Sequence, residues 1–307
     1  MEKRVSITAK MSAFVRDFHS DKLLSRGELY NDPLAGKMLN GEIMKIWTSI
    51  AENSSWFCEG CGEGCEEGCE DPVLYGINRR LAPAVLAQAI WREQEMLREL
   101  KMGTRQILLL GAGLDSLPYR QTEEMKKAKI YEVDMPEMIA YKERQLEKAK
   151  ITMPENVYRV GADLAENWIE PLLWQTPFAP EERSLTVIPG VAYYLPQKAL
   201  DKLLAQLANI TPQGSTLLFD CQLTDLGKNS ETDTRQQEPA AVAEKVMTDG
   251  MSMAELALML ERHGYLIYED MDETQIEKRF YREYNERNPE YAIHPMPHTA
   301  MVLAVRH

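Results

Sequence analysis

Hydrophobic and polar positions change period along the chain. Over the first fifty residues apolar side chains fall on helical faces, carried by Ala13-Phe14-Val15 and Leu23-Leu24, with Asn31-Asp32-Pro33 as the interruption. A helix is predicted over 83–102, where Pro83 suits the first turn and Val85-Leu86, Ala89-Ile90 and Leu97 mark one apolar face. The pattern then switches. Gln106-Ile107-Leu108-Leu109-Leu110 is a continuous apolar run closed by glycine, as a strand buried on both faces of a parallel sheet requires. Further strands are predicted at 130–133, 157–160, 185–188 and 216–219, with helices at 137–150 and 200–210 between them. A helix over 253–263 stops at Gly264, and two last strands are predicted at 265–268 and 299–305.

Strands alternating with helices imply an α/β fold around a doubly wound, mostly parallel sheet, preceded by an N-terminal helical extension. No ordinary crossover helix is legible between the last two strands, so their pairing direction stays open. The polar stretch 224–238 reads as a loop or lid. Residues 1–102 form the helical region, with a Gly/Cys/Glu-rich insertion at 58–71, and residues 103–307 form the sheet core. Both are expected to belong to one unit, because 307 residues at 44% hydrophobic content can bury one large core.

Charge narrows the partners. At a formal net charge of −13, the chain gains no counterion-release energy from a phosphate backbone, which argues against nucleic acid and anionic membranes. No apolar run reaches membrane-spanning length and the N-terminus lacks the apolar stretch of a secretory signal, so a cytoplasmic location is expected. Four of the five cysteines, Cys58, Cys61, Cys65 and Cys69, crowd into one acidic segment. Thiolates at that spacing can wrap one zinc or iron, but the longer gap that usually separates two zinc knuckles is absent. An acidic loop grown by local duplication is the alternative, and metal binding stays open. Cys221 reads as a buried small apolar residue.

The chemistry sits where strands end. Open α/β sheets bind ligands beyond the carboxyl ends of their strands. After the first strand comes Gly111-Ala112-Gly113, where missing side chains admit a ligand close to the backbone. After the second comes Asp134, a carboxylate able to accept two ribose hydroxyls, and after the third Asp163-Leu164, able to read an adenine edge. Together they describe an adenosine site. A dinucleotide site would want a third glycine where Ser116 stands, which lowers an NAD-linked oxidoreductase reading.

Gly-Ala-Gly-Leu-Asp-Ser at 111–116, with Tyr119-Arg120 behind it, resembles the first motif of the leucine carboxyl methyltransferase family, which includes tetracenomycin-type polyketide O-methyltransferases. Glu132-Val133-Asp134-Met135-Pro136-Glu137, Asp163-Leu164, and Gly190-Val191 with Tyr194-Leu195-Pro196 resemble its later motifs. Asp32-Pro33 and Ile77-Asn78-Arg79 resemble its N-terminal signatures. The resemblance implies a Rossmann-like seven-stranded fold and S-adenosylmethionine as cofactor, bordered by Gly111, Ala112, Gly113, Asp134, Met135, Asp163, Leu164 and Pro189. Lys22 is a weaker match to a family lysine. Two positions depart from the family: Ala84 stands where it carries a carboxylate-binding arginine, and Pro189 where it carries glutamate. Arg79 or Arg80 is the substitute to expect, since a guanidinium fork can reach a carboxylate from another anchor.

The resemblance implies O-methylation of a carboxylate or hydroxyl on a small molecule or a peptide terminus. An ionised carboxylate needs no base; a phenol benefits from one, with Tyr193, Tyr194, His294 and His298 as candidates. A catalytically silent binding protein on the same fold is the second reading, motivated by Ala84 and Pro189.

Overall fold

The computed structural model describes residues 5–21, 29–52, 71–166, 168–224 and 250–307. Helices α1 (Ile7–Asp21), α2 (Ala35–Leu39), α3 (Glu42–Glu52), α4 (Pro72–Arg80) and α5 (Leu86–Lys101) precede the sheet. The sheet then follows the order β1 (Gln106–Leu110), β2 (Lys129–Asp134), α6 (Pro136–Lys148), β3 (Val157–Gly161), α7 (Glu170–Leu173), β4 (Ser184–Ile188), α8 (Gln197–Ile210) and β5 (Thr216–Gln222). The chain closes with α9 (Met253–Arg262), β6 (Tyr265–Met271), α10 (Glu273–Ile276), α11 (Arg282–Arg287) and β7 (Thr299–Arg306).

Seven strands form one sheet in the order β3-β2-β1-β4-β5-β7-β6. The first five run parallel, β7 inserts antiparallel to β5, and β6 pairs antiparallel with β7 at the edge. This is the Rossmann-like α/β fold. The direction of the last two strands, left open by periodicity, is thereby settled. Their connection is helical, including a π turn at Glu277–Tyr281, yet it returns β7 inside β6.

Strand β1 shows why the run of leucines belongs at the centre. Ile107 and Leu109 face a core built with Phe14, Leu86, Trp91 and Met138, while Leu108 and Leu110 face another built with Leu173, Leu203, Leu207 and Leu256. Each such side chain contributes roughly 1.5–3 kcal/mol by burial, and the one polar residue of the strand, Gln106, is buried at its start with its amide bonded to Ala179 and Glu182. Strand β5 is longer than its apolar run. Asp220, Cys221 and Gln222 continue it because β7 supplies Met301, Ala300 and Thr299 as ladder partners.

The hydrophobic period predicts no separate helix where α4 forms. Asp71 caps it, accepting from Leu74 N at 2.9 Å, and Pro72 occupies the first turn. In the N-terminal region, Trp47 of α3 packs on Phe14 and Phe18 of α1 at ring distances of 5.5 and 5.4 Å. Those contacts hold α1 across the carboxyl ends of the strands. Among the described residues no helix is long and apolar enough to cross a membrane.

Candidate functional site

The ends of β1 to β4 open into one cavity of about 620 Å3, roofed by residues of α1 from Ile7 to Arg16. Gly111, Ala112, Gly113, Asp134, Met135, Asp163, Leu164 and Pro189 all line it, although 78 positions separate the first from the last. The parallel register makes this meeting: Leu110 pairs with Val133, and Asp134 with Gly161, so consecutive strand ends lie side by side.

The glycine turn is built for close approach. Gly111 has φ +83°, and a Cβ there would sit 2.2 Å from Val191 Cγ2, on the loop after β4. Its N–H donates to Val133 O at 2.7 Å, which ties the turn to the end of β2. Asp134 completes the tie: one carboxylate oxygen accepts from Gly113 N at 2.6 Å, the other from Met135 N at 2.7 Å. A carboxylate offers about four lone-pair sites, so acceptor capacity remains for ligand hydroxyls. Burial raises the Asp134 pKa above the ordinary carboxylate value, and the two backbone donors oppose that rise. The residues after the turn form only a three-residue 3-10 turn, Leu117–Tyr119, and Ser116 gives its hydroxyl to Asp32. The helix N-terminus that cradles a dinucleotide pyrophosphate is therefore missing at this position.

Arginine fixes the far wall. Arg16 of α1 donates to Asp32 at 2.8 Å and to Leu114 O at 2.8 Å, pinning the roof helix to the glycine loop. Asp32 is fully buried; burial alone would raise its pKa, but Arg16, Arg120 and Ser116 together hold it below the ordinary value. Arg92 pairs with Asp115 at 3.1 Å, both buried and both bordering the cavity. Asp115 Oδ2 and Arg92 Nε have no hydrogen-bond partner among the described residues. An orphaned carboxylate oxygen and an orphaned guanidinium N–H suit an ammonium and a carboxylate, the two termini of an amino-acid group.

Ala84 lines the cavity, and so does Arg80, one turn earlier in sequence, while Arg79 lies off it with its guanidinium over the Tyr75 ring. Tyr193 and Tyr194 line the cavity; burial pushes both phenols above the ordinary value. His294 lies elsewhere, in a shallow groove 3.1 Å from Glu277, and His298 contributes its backbone N–H to Glu273. Cys221 is buried behind the site, its thiol pushed up to about 12 by desolvation. The cysteine segment 58–71 except Asp71, Lys22, and 225–238 of the polar stretch lie outside the described residues. Among the described residues no cluster of three His, Cys, Asp or Glu is placed to hold a metal. Arg16, Arg92, Gln88 and the start of α1 are cavity residues that sequence reasoning missed, because no local motif marks them.

The family model of the leucine carboxyl methyltransferases matches residues 9–208, about two thirds of the chain and all of the cavity lining except Val5, Ser6, Ile7, Thr8 and Met296. The chain belongs to the leucine carboxyl methyltransferase family. Family membership makes it an S-adenosylmethionine-dependent methyltransferase, and the donor set of the cavity fits that cofactor at both ends. YktD of Bacillus subtilis (strain 168), named as a candidate S-adenosyl-L-methionine-dependent methyltransferase, is 27% identical over 282 residues, covering 90% of this chain and 91% of YktD. A candidate methyltransferase of the same description from Frankia alni is 33% identical over 125 residues, covering 41% of this chain and 44% of that protein. Among solved structures, a DUF574 family protein from Streptomyces avermitilis superposes with TM-score 0.57 at 14% identity, covering 96% of this chain and 97% of that one. That likeness supports the fold of this leucine carboxyl methyltransferase family member.

Proposed function

We propose that the protein transfers a methyl group from S-adenosylmethionine to an acceptor oxygen, a carboxylate in preference to a hydroxyl, on a small molecule or a peptide C-terminus. In this reading Asp134 takes the ribose hydroxyls, Asp163-Leu164 the adenine edge, and Gly111, Ala112, Gly113, Met135 and Pro189 border the donor. The single observation that carries it is the convergence of the three strand ends on one cavity, with Asp134 latched to the glycine turn.

The donor supplies a methyl group already activated by the sulfonium. What remains for the protein is alignment of the acceptor and exclusion of water. Helix α1 does the second, since its residues from Ile7 to Arg16 cover the cavity. The preference for a carboxylate follows from the wall. Both tyrosines have phenols pushed upward, so neither is a ready base near neutral pH, and both histidine candidates lie away from the cavity. An acceptor ionised without help is the one this wall suits. The absence of the family arginine at Ala84 and glutamate at Pro189 keeps a silent binding protein as the second reading.

A radiolabelled methyl-transfer assay over carboxylic acids, peptides with free C-termini, and phenols tests both. Base-labile methyl esters are the expected product. Donor binding without transfer to any acceptor supports the silent reading, and transfer to phenols alone overturns the carboxylate preference.

A further inference from the structure

Two residues before its carboxyl end, strand β5 carries a carboxylate, Asp220, that lies outside the lining of the donor cavity. Asp220 is 4% exposed. Its Oδ1 accepts from Gly190 N at 2.8 Å and from Gln88 Nε2 at 2.7 Å, and the Tyr193 hydroxyl also bonds to its carboxyl group. Gly190, Gln88 and Tyr193 all line the cavity. Asp220 therefore stands one layer behind the wall, held by three neutral groups. Among the described residues no cation pairs with it, in contrast to Asp32 and Asp115, which each face an arginine. A buried carboxylate with hydrogen bonds but no counterion carries a desolvation cost that a nearby cation would relieve.

The wall itself indicates where a cationic ligand would lie. Gly190 follows Pro189, and Gln88 lies about one helical turn beyond Ala84, the two positions where the family resemblance implies a glutamate and an arginine. Both departures thus lie beside the groups that grip Asp220. We propose that Asp220 is a positioning residue whose negative charge, delivered through the Gly190–Gln88–Tyr193 wall, selects a cationic sulfonium donor over its neutral thioether product. The inference rests on the donor-site reading above. Fields from a buried charge are weakly screened, so a carboxylate need not touch the sulfonium to discriminate it. The functional consequence is product release: once the methyl group leaves, the sulfur is neutral and the attraction ends.

Affinities of S-adenosylmethionine and S-adenosylhomocysteine for wild type and Asp220→Asn, measured by titration calorimetry, test this. Asparagine keeps the shape and an acceptor oxygen but removes the charge. The expected result is about a tenfold loss of affinity for the sulfonium with the thioether changed by less than about twofold. Equal loss of both, or no loss of either, overturns the role of Asp220 while leaving the donor site standing; a wild type that binds neither removes the donor site itself. Should the variant not fold, the same affinity ratio is followed in wild type as pH is lowered. Burial holds the Asp220 carboxyl above the ordinary value. Among the groups facing it, the Tyr193 phenol and the Cys221 thiol are pushed upward and stay neutral, and Gln88 and Gly190 do not titrate. The preference for the sulfonium then falls as Asp220 protonates, and a ratio that stays constant throughout the folded range overturns the proposal.

Discussion

Acid should loosen the roof of the site through one histidine. His19 of α1 is fully buried, and its Nε2 lies 2.9 Å from Asn78 Oδ1 on α4. Asn78 in turn donates to Tyr284 OH at 2.9 Å and to Tyr291 O at 2.7 Å, so one amide joins the roof helix to the C-terminal region. The other ring nitrogen of His19 has no hydrogen-bond partner among the described residues, and a second proton there would be a buried charge that none of them answers. Desolvation accordingly lowers the pKa from 6.5 to about 4, with the Asn78 bond opposing it. Because the folded value is depressed, the unfolded chain takes up the proton first as pH falls. The neutral-histidine stability is fully present above 6.5 and is lost between 6.5 and 4. Linkage makes the loss roughly 2 kcal/mol at pH 5 and about 3 kcal/mol below pH 4. Urea unfolding between pH 7 and 4.5 measures it, with His19→Gln as the control that cannot titrate. The variant should be less stable at pH 7 but should lose the part of the pH slope that corresponds to about one proton. Identical slopes in both proteins would refute the assignment.

Gly111→Ala meets φ +83° and Val191 Cγ2 at 2.2 Å, so backbone strain and overpacking together should cost about 2–5 kcal/mol in chemical denaturation; a cost under about 1 kcal/mol would mean that Val191 yields freely. Asp32→Ala leaves Arg16 buried without its partner and removes the Ser116 acceptor, and should destabilise by about 3–5 kcal/mol, or abolish soluble expression. The folded pKa of Asp32 is depressed, so its contribution is present above the ordinary carboxylate range and is lost as pH falls through the lower folded value; the variant should therefore lose the part of the acid limb that corresponds to about one proton.

Strands that read clearly in the sequence are those whose own side chains decide them. The run from Ile107 to Leu110 has to be buried on both faces, and the same reasoning locates β2 to β4 within a residue or so. Strand β5 extends past its apolar stretch because β7, some eighty residues away, pairs with Asp220 to Gln222, and no local period announces that. Helix α4 carries a start signal, Asp71-Pro72, but the Gly/Cys/Glu-rich sequence before it supplies no hydrophobic period to set the signal off. At the site, the glycine turn and the strand-end carboxylates are legible because strand ends converge by topology. Arg16, which reaches Leu114 O across 98 positions, and Asp220, which meets Gln88 across 132, depend on packing that only the folded chain displays.

The grip of Asp134 on the nucleoside half of the donor is central to the proposed site. Calorimetric titration of S-adenosylmethionine into wild type and Asp134→Ala, with melting curves to confirm folding, examines that grip directly. Wild type should bind and the variant should lose at least about tenfold in affinity, the worth of one charge-assisted hydrogen bond. Undiminished binding by a folded Asp134→Ala protein, or heat from NAD in place of the sulfonium donor, would contradict it.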